Sequence, residues 1–172
     1  MTSSRSRDGL HWYVAHVSSC QEKRVAAELS HMGVEHYLPV RREMHRWSDR
    51  RKLVECLVIP RFIFIRCSDA ERVAVMREDS RIRGFLSSEG KPSVVRDSEM
   101  ETFRNMVERG GAALRISDAP LAPGDRVRVI DGPLAGMECE LVSVGGGRCL
   151  AVRLGALGTA TMDLETDTVE RI

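Results

Sequence analysis

The chain changes its grammar once, near residue 110, and that change limits what it can fold into. Before it, short runs of aromatic and β-branched residues alternate with segments whose apolar residues recur every three or four positions. After it, short apolar runs follow one another with only glycine turns between them. The first pattern calls for helices laid on a sheet, and the second for a small barrel that removes its own exposed edges. The 172 residues therefore suit an α+β protein of two small domains. Residues 1–10 read as a disordered leader, 11–109 as an α/β sandwich with a mostly antiparallel sheet and flanking helices, 110–121 as a linker, and 122–172 as a five-stranded barrel.

Local signals support this division. His11–Val17 is rich in aromatic and β-branched residues and reads as a first strand. Ser19 and Glu22 have the spacing of a capping box, Val25, Leu29 and Met32 share one face of the helix behind it, and Gly33 is placed to stop it. Residues 35–40, 53–59, 62–66 and 82–86 read as strands. Residues 41–52 are a charged excursion between two of them. Ser68 with Glu71 caps a second helix, and Ser98 with Glu101 a third that turns Met100, Phe103 and Val107 inward. Residues 110–121 are rich in Gly, Ala, Pro and Ser without a clear period, hence the linker. Beyond it, residues 126–130, 137–144, 149–154, 159–164 and 168–172 supply five strands. Val127 and Val129 share a face there, with Arg126 and Arg128 turned to solvent. Asp131-Gly132-Pro133 is a turn.

A net charge of +1 gives no global reason to expect nucleic acid or membrane, but the balance is uneven along the chain. Residues 1–66 hold 12 Lys and Arg against 7 acids, whereas residues 120–172 hold 5 against 8. A basic front and an acidic tail suit different partners. The longest uninterrupted apolar run is a few residues, too short for a transmembrane helix, and the polar N-terminus lacks an apolar signal region, so a cytoplasmic protein is expected. Five cysteines without a Cys-x-x-Cys pair favour neither a disulfide framework nor a zinc site.

The segment from Pro123-Gly124-Asp125-Arg126-Val127-Arg128-Val129-Ile130 through Asp131-Gly132-Pro133-Leu134-Ala135-Gly136 resembles a KOW motif. The front resembles the N-terminal (NGN) domain of NusG-type transcription elongation factors through Trp12-Tyr13-Val14, Pro60-Arg61-Phe62-Ile63-Phe64-Ile65 and Arg81-Ile82-Arg83-Gly84-Phe85-Leu86, and the tail through Gly158-Thr159-Ala160-Thr161. These pieces stand in the family's order over most of residues 11–172. The helix start at Gln21–Arg24 and the segment Tyr37-Leu38-Pro39-Val40 are similar to the specialised paralogues RfaH and UpxY, and Arg61 stands where housekeeping members usually have glycine.

The resemblance implies an NGN domain, a linker and an SH3-like KOW barrel. It also implies that Pro60, Phe62, Phe64 and His16, with Trp12 and Tyr13 in support, form an apolar depression that grips the clamp helices of RNA polymerase. Buried aromatics would supply most of that binding. On the first helix, Gln21, Lys23, Arg24 and His31 map to positions that touch the non-template DNA strand, with Arg24 and His31 two turns apart on one face. The excursion carries six basic residues, including Arg50, Arg51 and Lys52, with Trp47 interleaved, a composition suited to tracking upstream DNA. In the tail, Leu134, Met137 and Leu157 lie in the loops matching the family's contact with a small-subunit ribosomal protein or Rho.

No enzyme constellation is present in the sequence. Gly145-Gly146-Gly147 lacks a following Lys-Ser/Thr and helix, and His31 and His36 fall on different elements, so neither a phosphate loop nor a metal pair is expected. A monomer without cofactor, metal or membrane partner is expected. The reading is a transcription elongation factor that suppresses pausing and termination, specialised for a long operon such as one for polysaccharide biosynthesis. The alternatives are a housekeeping factor coupling polymerase to Rho or ribosome, and a ribosome-associated KOW protein.

Overall fold

In a computed structural model of the protein, residues 9–109, 114–164 and 169–172 are described. Most of the expected leader (1–8) and part of the expected linker (110–113) lie outside them. The elements begin β1 (His11–Val17), α1 (Glu22–His31), β2 (Glu35–Tyr37), β3 (Val40–Arg46), β4 (Arg51–Leu57) and β5 (Phe62–Cys67). There follow α2 (Asp69–Glu78), β6 (Ile82–Phe85), the short β7 (Ser87–Ser88), β8 (Lys91–Pro92) and β9 (Val94–Val95), and α3 (Asp97–Arg109). Then come β10 (Leu114–Ser117), β11 (Asp125–Val129), β12 (Glu138–Val144), β13 (Gly147–Arg153), β14 (Thr159–Asp163) and β15 (Val169–Arg171). Two compact units result. One comprises the chain up to Leu38 with Pro60–Asp97, and the other Pro39–Ile59 with the described residues from Ser98 onward. This grouping follows spatial contact and not position along the chain, so it cuts across the boundaries expected from sequence.

The first unit is built on an antiparallel sheet of order β2-β5-β1-β6, with β9 also paired to β1. Strand alternation gives this sheet two characters. Tyr13, Ala15 and Val17 of β1 and Ile63, Ile65 and Cys67 of β5 form one core with Val25 and Leu29 of α1 and Val75 of α2. Trp12, Val14 and His16, with Phe62 and Phe64, belong to the opposite face. The helix α1 ends as its sequence requires. Gly33 adopts φ +70°, its N–H reaches the Ser30 carbonyl at 3.1 Å, and the Val34 N–H reaches that of Leu29 at 2.9 Å. This is a Schellman ending, and its apolar pair, Leu29 and Val34, is buried in the core.

Two of the three capping boxes differ from expectation. At α2 the box forms: the Ser68 hydroxyl accepts from the Glu71 N–H at 3.2 Å, and the Glu71 carboxylate from the Ser68 N–H at 3.0 Å. At α1 the cap is Gln21, with no side-chain bond, because Glu22 is committed elsewhere. At α3 the helix already begins at Asp97, which leaves Ser98 inside the first turn.

In the second unit, β3 and β4 form a hairpin of seven facing pairs, from Val40 opposite Leu57 to Arg46 opposite Arg51. The charged excursion is thus itself regular structure: its alternating sequence pays out as two strands. The tail is a six-stranded antiparallel sheet, β10-β14-β13-β12-β11-β15. The five strands expected after residue 122 are all present, Val127 and Val129 are buried, and Arg126 and Arg128 lie exposed beside Glu138. The sixth strand, β10, corrects the linker: Leu114–Ser117 pairs with β14 along its length. Two glycines permit close approaches in this sheet. A Cβ at Gly124 would stand 1.8 Å from the Leu141 carbonyl oxygen, and Gly158, at φ +122°, lies so near Ser117 that its Cβ would meet the carbonyl oxygen at 2.2 Å.

Candidate functional site

The expected apolar depression is divided by the structure into buried and accessible parts. Phe64 is fully buried, with the Tyr37 ring 6.4 Å from its own, and Trp12 and Tyr13 are 4% and 5% exposed. Tyr13 belongs to the helix-facing core, edge-on to Phe85 with the Arg72 guanidinium over its ring. These three residues, expected at the docking surface, pack the interior, because β1 and β5 lie in the middle of the sheet. His16 and Phe62 lie at the far end of the same strands, directly opposite each other, and are half-buried. Their rings stack at 5.3 Å with a 34° tilt. On the other side His16 faces Gly84 of β6, and open space surrounds the position of a Cβ there. Exposed Pro60 precedes them, and a depression of about 230 Å³ lined by His16, Val17, Ser18, Ser19, Arg61 and Arg83 adjoins.

The shape of this end depends on a buried acid. Glu22, the first residue of α1, is 4% exposed, and its Oε1 accepts a 3.0 Å hydrogen bond from the Arg61 N–H. The Arg61 carbonyl in turn accepts from the Val17 N–H at 2.8 Å. Arg61 holds φ +70°, the left-handed conformation that glycine adopts without penalty. Position 61 therefore keeps a glycine-type backbone while adding an exposed arginine to the residues that line the depression with His16. Along α1, Lys23, Arg24 and His31 are exposed and Gln21 is half-buried at the cap, so the expected DNA-facing residues reach solvent. Half-buried Glu28 lies between Arg24 and His31.

The second charged feature is the tip of the β3–β4 hairpin. The Trp47 N–H closes the turn onto the Arg50 carbonyl at 2.8 Å, and the Arg50 guanidinium lies 5.4 Å from the centre of the exposed Trp47 ring. Arg46 faces Arg51 across the strands, and His45 faces Lys52. Among the described residues no carboxylate pairs with Arg46, Arg50, Arg51 or Lys52. A basic cluster with an aromatic at its centre, and Asp49 as the acid of its turn, can hold phosphates and stack a base.

The family model described as "Transcription termination factor nusG" matches residues 10–104, a span that contains the His16–Phe62 end, α1 and the whole hairpin. The chain belongs to the NusG family. It is similar to the transcription termination/antitermination protein NusG of Bacillus subtilis, 28% identical over 137 residues that cover 72% of this chain and 76% of the relative. The NusG of Lactococcus lactis is 23% identical over 127 residues, 73% of this chain and 68% of the relative. A solved structure of Thermotoga maritima NusG aligns over 97% of this chain and 99% of its own, at 20% identity and a TM-score of 0.48.

Three tail residues expected to meet a partner are buried. Leu134, Met137 and Leu157, expected in the partner-contacting loops, are 7%, 6% and 9% exposed. Their loops fold back: the Gly136 N–H bonds the Val129 carbonyl at 2.7 Å and the Met137 N–H that of Leu134 at 3.1 Å, while Leu157 sits in a 3-10 turn over Gly155–Leu157. These side chains fill the tail's interior. Nearby, Glu140 and Arg153 form a two-pronged ion pair, at 2.8 and 3.0 Å, that also fastens Leu121, Ala122 and Gly124.

Sequence reasoning missed one cluster altogether. Glu43, His45 and Cys56 bring a carboxylate oxygen, a ring nitrogen and a sulfur within 4.8 Å of one another on one face of the hairpin. The expectation of no metal-binding group rested on spacing motifs, and here the spacing is set by strand pairing between residues far apart in the chain. Only alternation within a hairpin, with Glu43 and His45 two apart, could have hinted at it.

Proposed function

We propose that this NusG-family protein is a transcription elongation factor that docks on the paired clamp helices of RNA polymerase through the His16–Phe62 end of β1 and β5. Held there, it keeps the clamp closed and suppresses pausing and termination, as a cytoplasmic, specialised antiterminator of a long operon. The observation that carries the reading is the half-exposed ring pair at the end of β1 and β5, beside the open space over Gly84. Such a shelf receives apolar side chains from a helical hairpin, and the flanking guanidiniums of Arg61 and Arg83 complement carboxylates on it. Arg61 in place of glycine supports the specialised role, since it adds charge where the backbone alone requires none.

Exposed Lys23, Arg24 and His31, with Gln21, support contact with the non-template strand, and Arg50, Arg51 and Lys52 around Trp47 support contact with upstream DNA. The five strands β11 to β15, each antiparallel to its neighbours, support an SH3-like KOW barrel for the tail. Because Leu134, Met137 and Leu157 are buried, no recruitment of Rho or ribosome is assigned to them.

The test is transcription by purified bacterial RNA polymerase on a long template with strong pauses. Wild-type protein shortens the pauses, and Phe62→Ser abolishes the effect while remaining folded. If wild-type protein leaves pausing unchanged on every template, or if Phe62→Ser binds polymerase as tightly as wild type, the reading fails.

A further inference from the structure

We propose that Glu43, His45 and Cys56 form a binding site for a zinc-class divalent transition cation, which clips β3 to β4. Glu43 Oε2 lies 3.5 Å from His45 Nε2 and 3.6 Å from Cys56 Sγ, and Cys56 Sγ lies 3.8 Å from His45 Nε2. The first of these is long for a nitrogen–oxygen hydrogen bond, whose separation falls at about 2.7–3.2 Å. All three are close to what a shared ion needs. Bonds of about 2.0–2.3 Å at tetrahedral angles put neighbouring ligand atoms about 3.3–3.6 Å apart. A contraction of a few tenths of an ångström brings all three donors into a zinc coordination sphere, with water in the fourth position.

A nucleophilic relay is the competing use of Cys, His and Glu, and the geometry argues against it. In a relay the acid and the nucleophile engage opposite ring nitrogens. Here both Glu43 and Cys56 approach the same atom, Nε2, so the three converge on a point instead of passing a proton along the ring. The charges also suit a dication. On binding, the Cys56 thiol releases its proton to solvent, and the resulting thiolate with the Glu43 carboxylate balances two positive charges; neutral His45 contributes a lone pair. Arg41 Nε pairs with the other carboxylate oxygen, Oε1, at 3.0 Å and so turns Oε2 toward its fellow donors, the orienting role of an outer partner. All three donors are half-buried, accessible to an incoming ion yet partly shielded. The hairpin also gains from such a clip, because an isolated two-stranded ribbon is marginal in water. Sulfur with nitrogen selects zinc or cobalt over magnesium or calcium.

The other cysteines provide the control. Cys67 and Cys139 are buried, and burial pushes their thiols up to about 12 and about 11. Cys149 is buried as well, so Cys20 is the fully exposed alternative sulfur. The probe is Co²⁺, titrated into the full-length, chelator-treated protein under reducing conditions. One equivalent is expected to develop a thiolate-to-cobalt charge-transfer band and intensified visible absorption of a four-coordinate ion, both displaced by Zn²⁺. Cys56→Ser removes the charge-transfer band, His45→Ala weakens binding by more than about tenfold, the loss already typical of an outer partner, and Cys20→Ser changes neither. X-ray absorption of the zinc-loaded protein should show one sulfur in the inner shell. Absence of the band in wild type, its survival in a folded Cys56→Ser, its loss in Cys20→Ser, or a shell with two or more sulfurs would each overturn the site.

Discussion

The buried carboxylate of Glu22 accepts the backbone N–H of Arg61 at 3.0 Å, across 39 positions of sequence. The bond fastens the start of α1 to the left-handed turn that opens β5, and so fixes the strand end on which His16 and Phe62 stand. Removing it leaves a part-buried N–H without its carboxylate acceptor, at a loss of about 1 kcal/mol. Glu22→Ala should therefore lower the urea midpoint, with a smaller loss in Glu22→Gln, whose amide oxygen can still accept. Arg61→Gly relieves left-handed strain of about 1–2 kcal/mol against a chain-entropy penalty of about 0.5–1 kcal/mol. It is expected to hold or slightly raise stability. Equal destabilisation by Glu22→Ala and Glu22→Gln would contradict the role given to the bond.

Phe62 and Phe64 share a strand face but should behave oppositely. Phe64→Ala empties a fully buried position and should cost about 3–5 kcal/mol of folding stability. Phe62→Ser, at the half-exposed end, should change stability little and weaken polymerase binding by about 2–4 kcal/mol. Chemical denaturation paired with binding to purified polymerase separates the two; similar stability losses from both substitutions would be inconsistent with the observed burial.

The hairpin tip should bind nucleic acid by phosphate neutralisation. Replacing Arg50, Arg51 and Lys52 with Ala is expected to weaken DNA binding without regard to sequence. It should also reduce the slope of log K against log salt by roughly 2–3, about 0.9 for each duplex phosphate contact removed. Titrations at several salt concentrations measure this, and an unchanged slope excludes the tip as a contact.

Glu140 links stability of the tail to pH. Hydrogen bonds from Arg153 hold its carboxyl below the ordinary range, aided by the Gly124 N–H and opposed by partial burial. A carboxyl depressed in the folded state stabilises above its unfolded value and ceases to do so as pH falls through the folded one. Wild-type stability should thus be complete above about pH 5 and decline below roughly 4.3. Glu140→Gln should be less stable at neutral pH and lose less on acidification, as followed by urea denaturation from neutral to acid. Parallel pH profiles for the two proteins would remove Glu140 from this role.

Much of the fold was legible because it is written in local periods. The first strand, the apolar faces of α1 and α3, the Gly33 ending, the Ser68–Glu71 box and the five tail strands all follow from neighbours within a few residues. What was misread depended on distant partners. Leu114–Ser117 looks like linker among its glycines and alanines, and becomes a strand because β14 offers it a free edge. Ser19 and Glu22 have the spacing of a cap, yet Glu22 turns to Arg61. Apolar residues in the 131–137 and 155–157 loops read as surface tips until the loops folded over them.

The sequence by itself determined the three helices, most of the strands, the NusG kinship, and where positive charge gathers. Tertiary structure alone decided which rings of a shared strand face are sealed and which remain open, and which side chains 13 positions apart, such as Glu43 and Cys56, become neighbours. The physical reason is that propensity and periodicity act within a few residues, whereas burial and side-chain convergence are set by strand register and by what packs above it, neither of which any single segment encodes.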